Sequence, residues 1–244
     1  MPHTGILAAN PDGAAQCFLR YCRAGAAELG SHTYPDVSLD YIGFGHHLAA
    51  WRAGDLDTVG AYLARSVARL AAAGADFFVC PDNTVHLVLD ELAPELPLPG
   101  VHIARAVAET ARAADHRRVG VLGTAFVTGS ALYATWLGAE GIEVEVPDPP
   151  DAERLDRIIL GELVNGAASD ASRSWGVEVV RGLAERGCDV VALASTELPL
   201  LLAPEDSPLP VIDSTAVLAD RALDVALSRT PLPTWRGGRH RTAP

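Results

Sequence analysis

The chain has 244 residues, about half of them apolar and a fifth charged, enough to bury one large core or two modest ones. A formal net charge of −12 argues against a nucleic-acid backbone or an anionic membrane surface as partner. All 19 basic residues are arginine, so a lysine Schiff base to pyridoxal phosphate and a P-loop lysine are both excluded by inventory.

Taken in chain order, Ile6-Leu7-Ala8-Ala9 opens the pattern as a buried strand. It lacks a basic flank and runs into Asn10-Pro11-Asp12, so it does not read as a signal peptide. Strands are expected at residues 5–9, 37–42, 77–80, 120–123, 142–146, 190–193 and 211–212. Helical period occupies 14–29, 57–73, 85–91, 103–114, 128–139, 152–165, 171–186 and 214–228. This alternation predicts an α/β fold with parallel sheets covered by helices. Pro94, Pro97 and Pro99 suggest a crossing between lobes. The expected lobes are 1–98 with 211–230 and, second, 99–210; the Pro-, Gly- and Arg-rich tail 231–244 is expected to be disordered. No apolar run approaches the roughly 20 residues needed to span a bilayer. Cys17, Cys22, Cys80 and Cys188 lack paired metal spacing and read as buried thiols of a cytoplasmic protein. Tandem His46-His47 reads as a solvated loop, and no metal site is expected.

The chain also contains itself twice. Gly74, Asp76 and Asp82 match Gly187, Asp189 and Ser195 at one constant offset of 113 residues. A looser match pairs Thr4-Gly5-Ile6-Leu7-Ala8 with Val119-Gly120-Val121-Leu122-Gly123. Each copy reads as helix, Gly-Asp corner, buried strand and polar cluster. A pseudo-twofold axis between two such lobes would set Asp82 and Ser195 on opposite sides of one cleft. Ligands of open α/β sheets bind beyond the carboxyl ends of strands. Four clusters fall there: Asn10-Pro11-Asp12-Gly13, Asp82-Asn83-Thr84, Gly123-Thr124 and Ser195-Thr196-Glu197. Helix capping alone would explain either of the Asp82 and Ser195 clusters. Their equivalence under the repeat shifts the reading towards a site, with Asp82 and Ser195 catalytic and Asn10, Asn83, Thr84, His86, Thr124, Thr196 and Glu197 binding substrate. A packed helix residue is the plainer reading of His86.

These motifs resemble the cofactor-independent aspartate/glutamate racemase superfamily. The likeness runs from Gly5-Ile6-Leu7 through Ala72-Ala73-Gly74-Ala75-Asp76, Asn83-Thr84-Val85-His86 and Arg118-Val119-Gly120-Val121-Leu122-Gly123-Thr124. It continues through Gly161-Glu162-Leu163, Leu183-Ala184-Glu185-Arg186-Gly187, Thr196-Glu197-Leu198-Pro199-Leu200 and Pro210-Val211-Ile212-Asp213-Ser214-Thr215. The resemblance implies two flavodoxin-like (Rossmann-like) lobes, an active site between them, no cofactor and commonly a homodimer. It also implies a cysteine before the Asn-Thr pair and another before the Thr-Glu pair, where this chain has Asp82 and Ser195. The usual basic residue before Gly166 is Asn165, and a histidine common in the last helix falls at Leu218, which weakens aspartate or glutamate as substrate.

Serine does not ionise near neutrality without an adjacent base, so a symmetric two-thiol racemisation is not expected. Asp82 is a weak base by its ordinary pKa and needs an acidic carbon, one beside a ketone, imine or thioester or flanked by two carbonyls. Ser195, Thr196, Thr124 and strand-end amides would hold the developing enolate oxygen. The expected activity is one-base proton transfer on a small carboxylic or carbonyl compound, an isomerase or epimerase. Two alternatives stand beside it: a decarboxylase of malonate-like acids, and a binding homologue that has lost catalysis.

Overall fold

The computed structural model describes residues 1–92 and 96–239, except the side chains of residues 44 and 46–48. They form two compact units, one from Met1–Ile103 and Thr215–Pro244, the other from Ala104–Ser214. In the first unit β1 (Thr4–Ala8), α1 (Pro11–Leu29), β2 (Val37–Tyr41), α2 (Phe44–Arg52), α3 (Leu56–Ala72), β3 (Phe77–Val79), α4 (His86–Leu89) and β4 (Gly100–Val101) follow in order. The second unit begins with α5 (Ile103–Ala113), β5 (Arg118–Gly123), α6 (Ala125–Thr128), α7 (Leu132–Ala139) and β6 (Glu143–Glu145). It continues with α8 (Pro149–Gly161), α9 (Asp170–Glu185), β7 (Val190–Ala194) and β8 (Val211–Asp213), and α10 (Ser214–Ala226) returns to the first unit.

Each unit holds one four-stranded parallel sheet, and the two orders, β2-β1-β3-β4 and β6-β5-β7-β8, are the same order repeated. This is an α/β, flavodoxin-like arrangement in each lobe. The central strands β1, β3 and β7 are buried throughout, which is why they read as unbroken apolar runs.

The Gly-Asp corner shows what the repeat preserves. Gly74 and Gly187 end their helices at φ +91° and +88°, the left-handed region that a side chain disfavours. The Asp76 carboxylate then accepts from the His3 amide at 2.7 Å, and Asp189 accepts from the Arg117 amide at the same distance. Each aspartate's own amide donates back, to the carbonyls of His3 and Arg118. Each corner therefore ties the incoming central strand to the strand that begins the copy.

All seven expected strands are present. β4 was not expected: two residues behind three prolines carry no readable period. It pairs with β3 (Phe78↔Gly100, Val79↔Val101), so the chain remains in the first unit beyond residue 98. The expectation that residues 211–213 return to the first lobe is corrected in the same way. β8 pairs with β7, and only α10 crosses back. The two fourth strands are equivalent: Phe78 donates to the Pro99 carbonyl and Val191 to the Pro210 carbonyl, both at 2.9 Å. Pro94 lies outside the described residues.

Two helical expectations also change. The helix expected at 128–139 is in place only as α7, from Leu132; α6 ends at Thr128 and residues 129–131 separate the two. His46-His47 falls on α2 and not on a loop, its side chains lying outside the described part. The tail is packed, not disordered, through residue 239. Trp235 forms an antiparallel bridge with Gly100, and the Gly100 amide donates to its carbonyl at 2.7 Å. Residues 240–244 lie outside the described residues.

The first core packs α1 and α10 on one sheet face through Ile6, Tyr21, Phe77, Leu218 and Leu223, and α3 and α4 on the other through Leu7, Leu63, Leu70, Phe78 and Leu89. In the second unit α8 and α9 cover a face through Leu155, Ile159, Val180 and Leu183.

Candidate active site

In the first unit the carboxyl ends of β1 and β3 bring Asn10 and Asp82 together. Asn10 caps α1, its Oδ1 accepting from the Gly13 amide at 2.7 Å, with Pro11 at the first helical position. Its Nδ2 faces Asp82 Oδ2 at 3.5 Å. The other carboxylate oxygen of Asp82 accepts from the Val85 amide at 3.2 Å. Capping and chemistry are compatible at Asp82: one oxygen accepts in the turn and the other faces Asn10. Asp82 and Thr84 are half-buried, and Asn83 is buried beside them.

His86 is not placed to bind substrate, contrary to expectation. It is fully buried, and both ring nitrogens are used by the main chain. Nδ1 donates to the Asp82 carbonyl at 2.8 Å, and Nε2 accepts from the Ile103 amide at 3.3 Å, which fixes the neutral Nδ1–H tautomer. Burial, with His102 close by, pushes its pKa down to about 3. The plainer sequence reading, a packed helix histidine, holds here.

Cys80, two residues before Asp82, is the buried thiol the sequence suggests. It is fully buried, and burial, then the neighbouring Asp82 charge, pushes its thiol well above the usual range.

In the second unit the β5–β7 pairing sets Gly123 beside Ala194, so Thr124 and Ser195 continue neighbouring strand ends. The Ser195 hydroxyl, almost buried, donates to Glu197 Oε2 at 2.6 Å. Glu197 is half-buried. The hydroxyl oxygens of Thr124 and Thr196 are buried without a hydrogen-bond partner among the described residues. A buried hydroxyl in that state costs about 1–3 kcal/mol unless a ligand satisfies it. Asp156, which the sequence did not single out, fixes the Thr124 loop by accepting from the Ala125 amide at 2.8 Å.

Neither position at which the resemblance implies a basic or imidazole group holds one. Asn165 donates its amide to the Gly161 carbonyl at 3.0 Å, and Leu218 is buried in the first core. No disulfide links the cysteines, and no cluster of three or more His, Cys, Asp or Glu suited to a metal occurs among the described residues. No helix among them is long and apolar enough to cross a membrane.

The model of the Asp/Glu/Hydantoin racemase family matches residues 6–222. The chain belongs to this family. RacX, the broad specificity amino-acid racemase of Bacillus subtilis (strain 168), is 28% identical over 162 residues, 66% of this chain and 69% of that protein. A provisionally assigned Asp/Glu racemase from Yersinia pestis has a solved structure with TM-score 0.87 and 30% identity, covering 93% of this chain and all of that one. An aspartate racemase homologue from Pyrococcus horikoshii OT3 gives TM-score 0.82 and 28% identity, with the same coverage of both chains. This racemase-family chain is accordingly an enzyme of the racemase and isomerase type.

Proposed function

We propose that the protein moves a proton at an acidic carbon next to a carbonyl or carboxylate, as a cofactor-independent isomerase or epimerase of this family. The observation that carries the reading is the 2.6 Å bond from Ser195 to Glu197, because it supplies the adjacent carboxylate without which a serine hydroxyl is inert. Asp82 is the first proton-transfer group, and the Ser195–Glu197 pair is the second. In one direction the Asp82 carboxylate removes the proton on carbon, leaving an enolate whose oxygen the Thr124 and Thr196 hydroxyls stabilise. As the acid of its pair, Ser195 gives a proton to carbon while taking one from Glu197; as the base, it passes its proton to the Glu197 carboxylate, the direction of the 2.6 Å bond. In the first direction Asp82 has then gained one proton and Glu197 has lost one, and exchange with water resets both.

Neither carboxylate suits the removal of a proton from an ordinary zwitterionic amino acid, and Asn165 supplies no cationic clamp. The favoured substrates are therefore activated: a 3-oxo acid, a thioester, or a ring such as a 5-substituted hydantoin, whose acidic carbon lies beside a carbonyl. The test is solvent deuterium incorporation, followed by proton NMR, across such a panel together with aspartate and glutamate. Asp82→Asn and Ser195→Ala are each expected to lower incorporation by about 10²–10⁴-fold, the usual worth of a positioned acid or base. Unchanged incorporation in Asp82→Asn would remove the base from the mechanism. Release of carbon dioxide from disubstituted malonates would replace isomerisation by decarboxylation.

A further inference from the structure

We propose that Trp235 is a positioning residue for Asp82: by stacking on His86 it holds the ring that carries the Asp82 carbonyl. This rests on the reading of Asp82 as the proton-transfer group. The family match ends at residue 222, upstream of the segment concerned.

Residues 235–239 form a strap tied to residues 89, 91, 96, 97 and 100. The Leu96 amide donates to the Arg236 carbonyl at 3.0 Å, and the Arg236 guanidinium donates to the carbonyls of Leu96 and Pro97 at 3.0 and 2.9 Å. The Gly238 amide donates to the Leu89 carbonyl at 3.0 Å, and Arg239 pairs with Glu91. Between these anchors the Trp235 indole donates its N–H to the Gly238 carbonyl at 2.8 Å, so its polar edge is satisfied within the strap. Its ring lies almost parallel to His86, 15° between planes and 6.0 Å between centroids. The same indole meets His102 edge-on at 4.9 Å and Phe78 at 5.9 Å.

The loop under Asp82 needs such support. α4 is a single turn, and a helix so short has no stability of its own in water. Residues 82–86 are held instead by His86, whose ring joins the Asp82 carbonyl to the Ile103 amide. That bridge requires a neutral ring, because a protonated Nε2 cannot accept from an amide. The titratable groups facing the ring are Asp90 from the end of α4 and His102, which pairs with Asp90 at 3.3 Å, while Asp82 meets the ring through its carbonyl. From the strap comes only the indole, Arg239 being paired with Glu91. Taking the indole away admits water to the ring. Its pKa then moves up from about 3 towards the ordinary histidine value, so the bridge breaks as pH falls through about 6.

The experiment follows the His86 imidazole by long-range proton–nitrogen NMR from pH 4 to 8 in the full chain and in Trp235→Ala and Trp235→Phe, with deuterium incorporation measured over the same range. In the parent, His86 stays neutral throughout. In Trp235→Ala it titrates, and incorporation acquires a limb falling roughly tenfold per pH unit below about 6. Trp235→Phe, which keeps an aromatic face, restores the parent profile. Should Trp235→Ala fail to fold, Arg236→Ala loosens the strap while keeping the indole and shows the same titration at smaller amplitude. A His86 that remains neutral in every folded variant overturns the proposal. The NMR readout needs no turnover, so it stands apart from the Asp82→Asn result: activity surviving in Asp82→Asn defeats the proton-transfer assignment, whereas a silent His86 defeats only the role of Trp235.

Discussion

At the scale of single residues, burial decides which polar groups are available for chemistry. Ser195 and Glu197 form a short pair at a strand end, whereas Cys80, two residues from Asp82, is sealed in the sheet. Cys17 and Cys188 are buried as well, and only Cys22 is half-buried. A thiol reagent should therefore modify one cysteine in the native protein and the other three only in denaturant, which a colorimetric thiol count reads directly. His86 makes a second prediction. Its pKa is about 3 in the folded chain and near 6.5 when unfolded, so the unfolded state binds more protons between those values. Stability accordingly falls as pH drops below about 6.5. The urea midpoint should decline from pH 7 to pH 5, where ordinary carboxylates remain ionised in both states. Asp82, Ser195 and their neighbours stand out in the sequence as candidates because strand-end polar clusters recur at the repeat interval. The sequence did not show which way His86 points, since that depends on Ile103, His102 and Trp235, all distant along the chain.

At the scale of elements, the repeat was legible wherever backbone geometry demands one residue type. Gly74 and Gly187 are both left-handed, and Asp76 and Asp189 both tie two strands. Gly74→Ala and Gly187→Ala should each cost on the order of 1 kcal/mol in urea unfolding, because alanine disfavours positive φ. The costs should add, since the corners lie in separate units. β4 was illegible because two residues cannot display alternation. The signal that would have found it was Leu98-Pro99-Gly100-Val101 set against Leu209-Pro210-Val211-Ile212, a match the constant offset does not catch because it lies two residues short. The strap was misread because prolines, glycines and arginines resemble a disordered tail in composition, whereas its order comes from main-chain bonds to β4 and one indole.

At the scale of the whole molecule, the two units differ in how they are threaded. The second is continuous, Ala104–Ser214, with its own sheet and core. The first depends on α10, whose Leu218, Leu223 and Val225 lie in the core with Ile6 and Phe77. Burying those three side chains is worth roughly 5–9 kcal/mol, comparable with the whole stability of a small domain. A fragment of residues 104–214 should therefore unfold cooperatively by circular dichroism, while residues 1–103 alone should not fold. The corners carry a historical consequence. The corner ties that join the central strands run through Gly74, Asp76, Gly187 and Asp189 and lie several residues before positions 82 and 195. Side chains at the strand ends can thus change over evolutionary time while these corners stay as they are. The halves are free to diverge in chemistry while remaining twins in form.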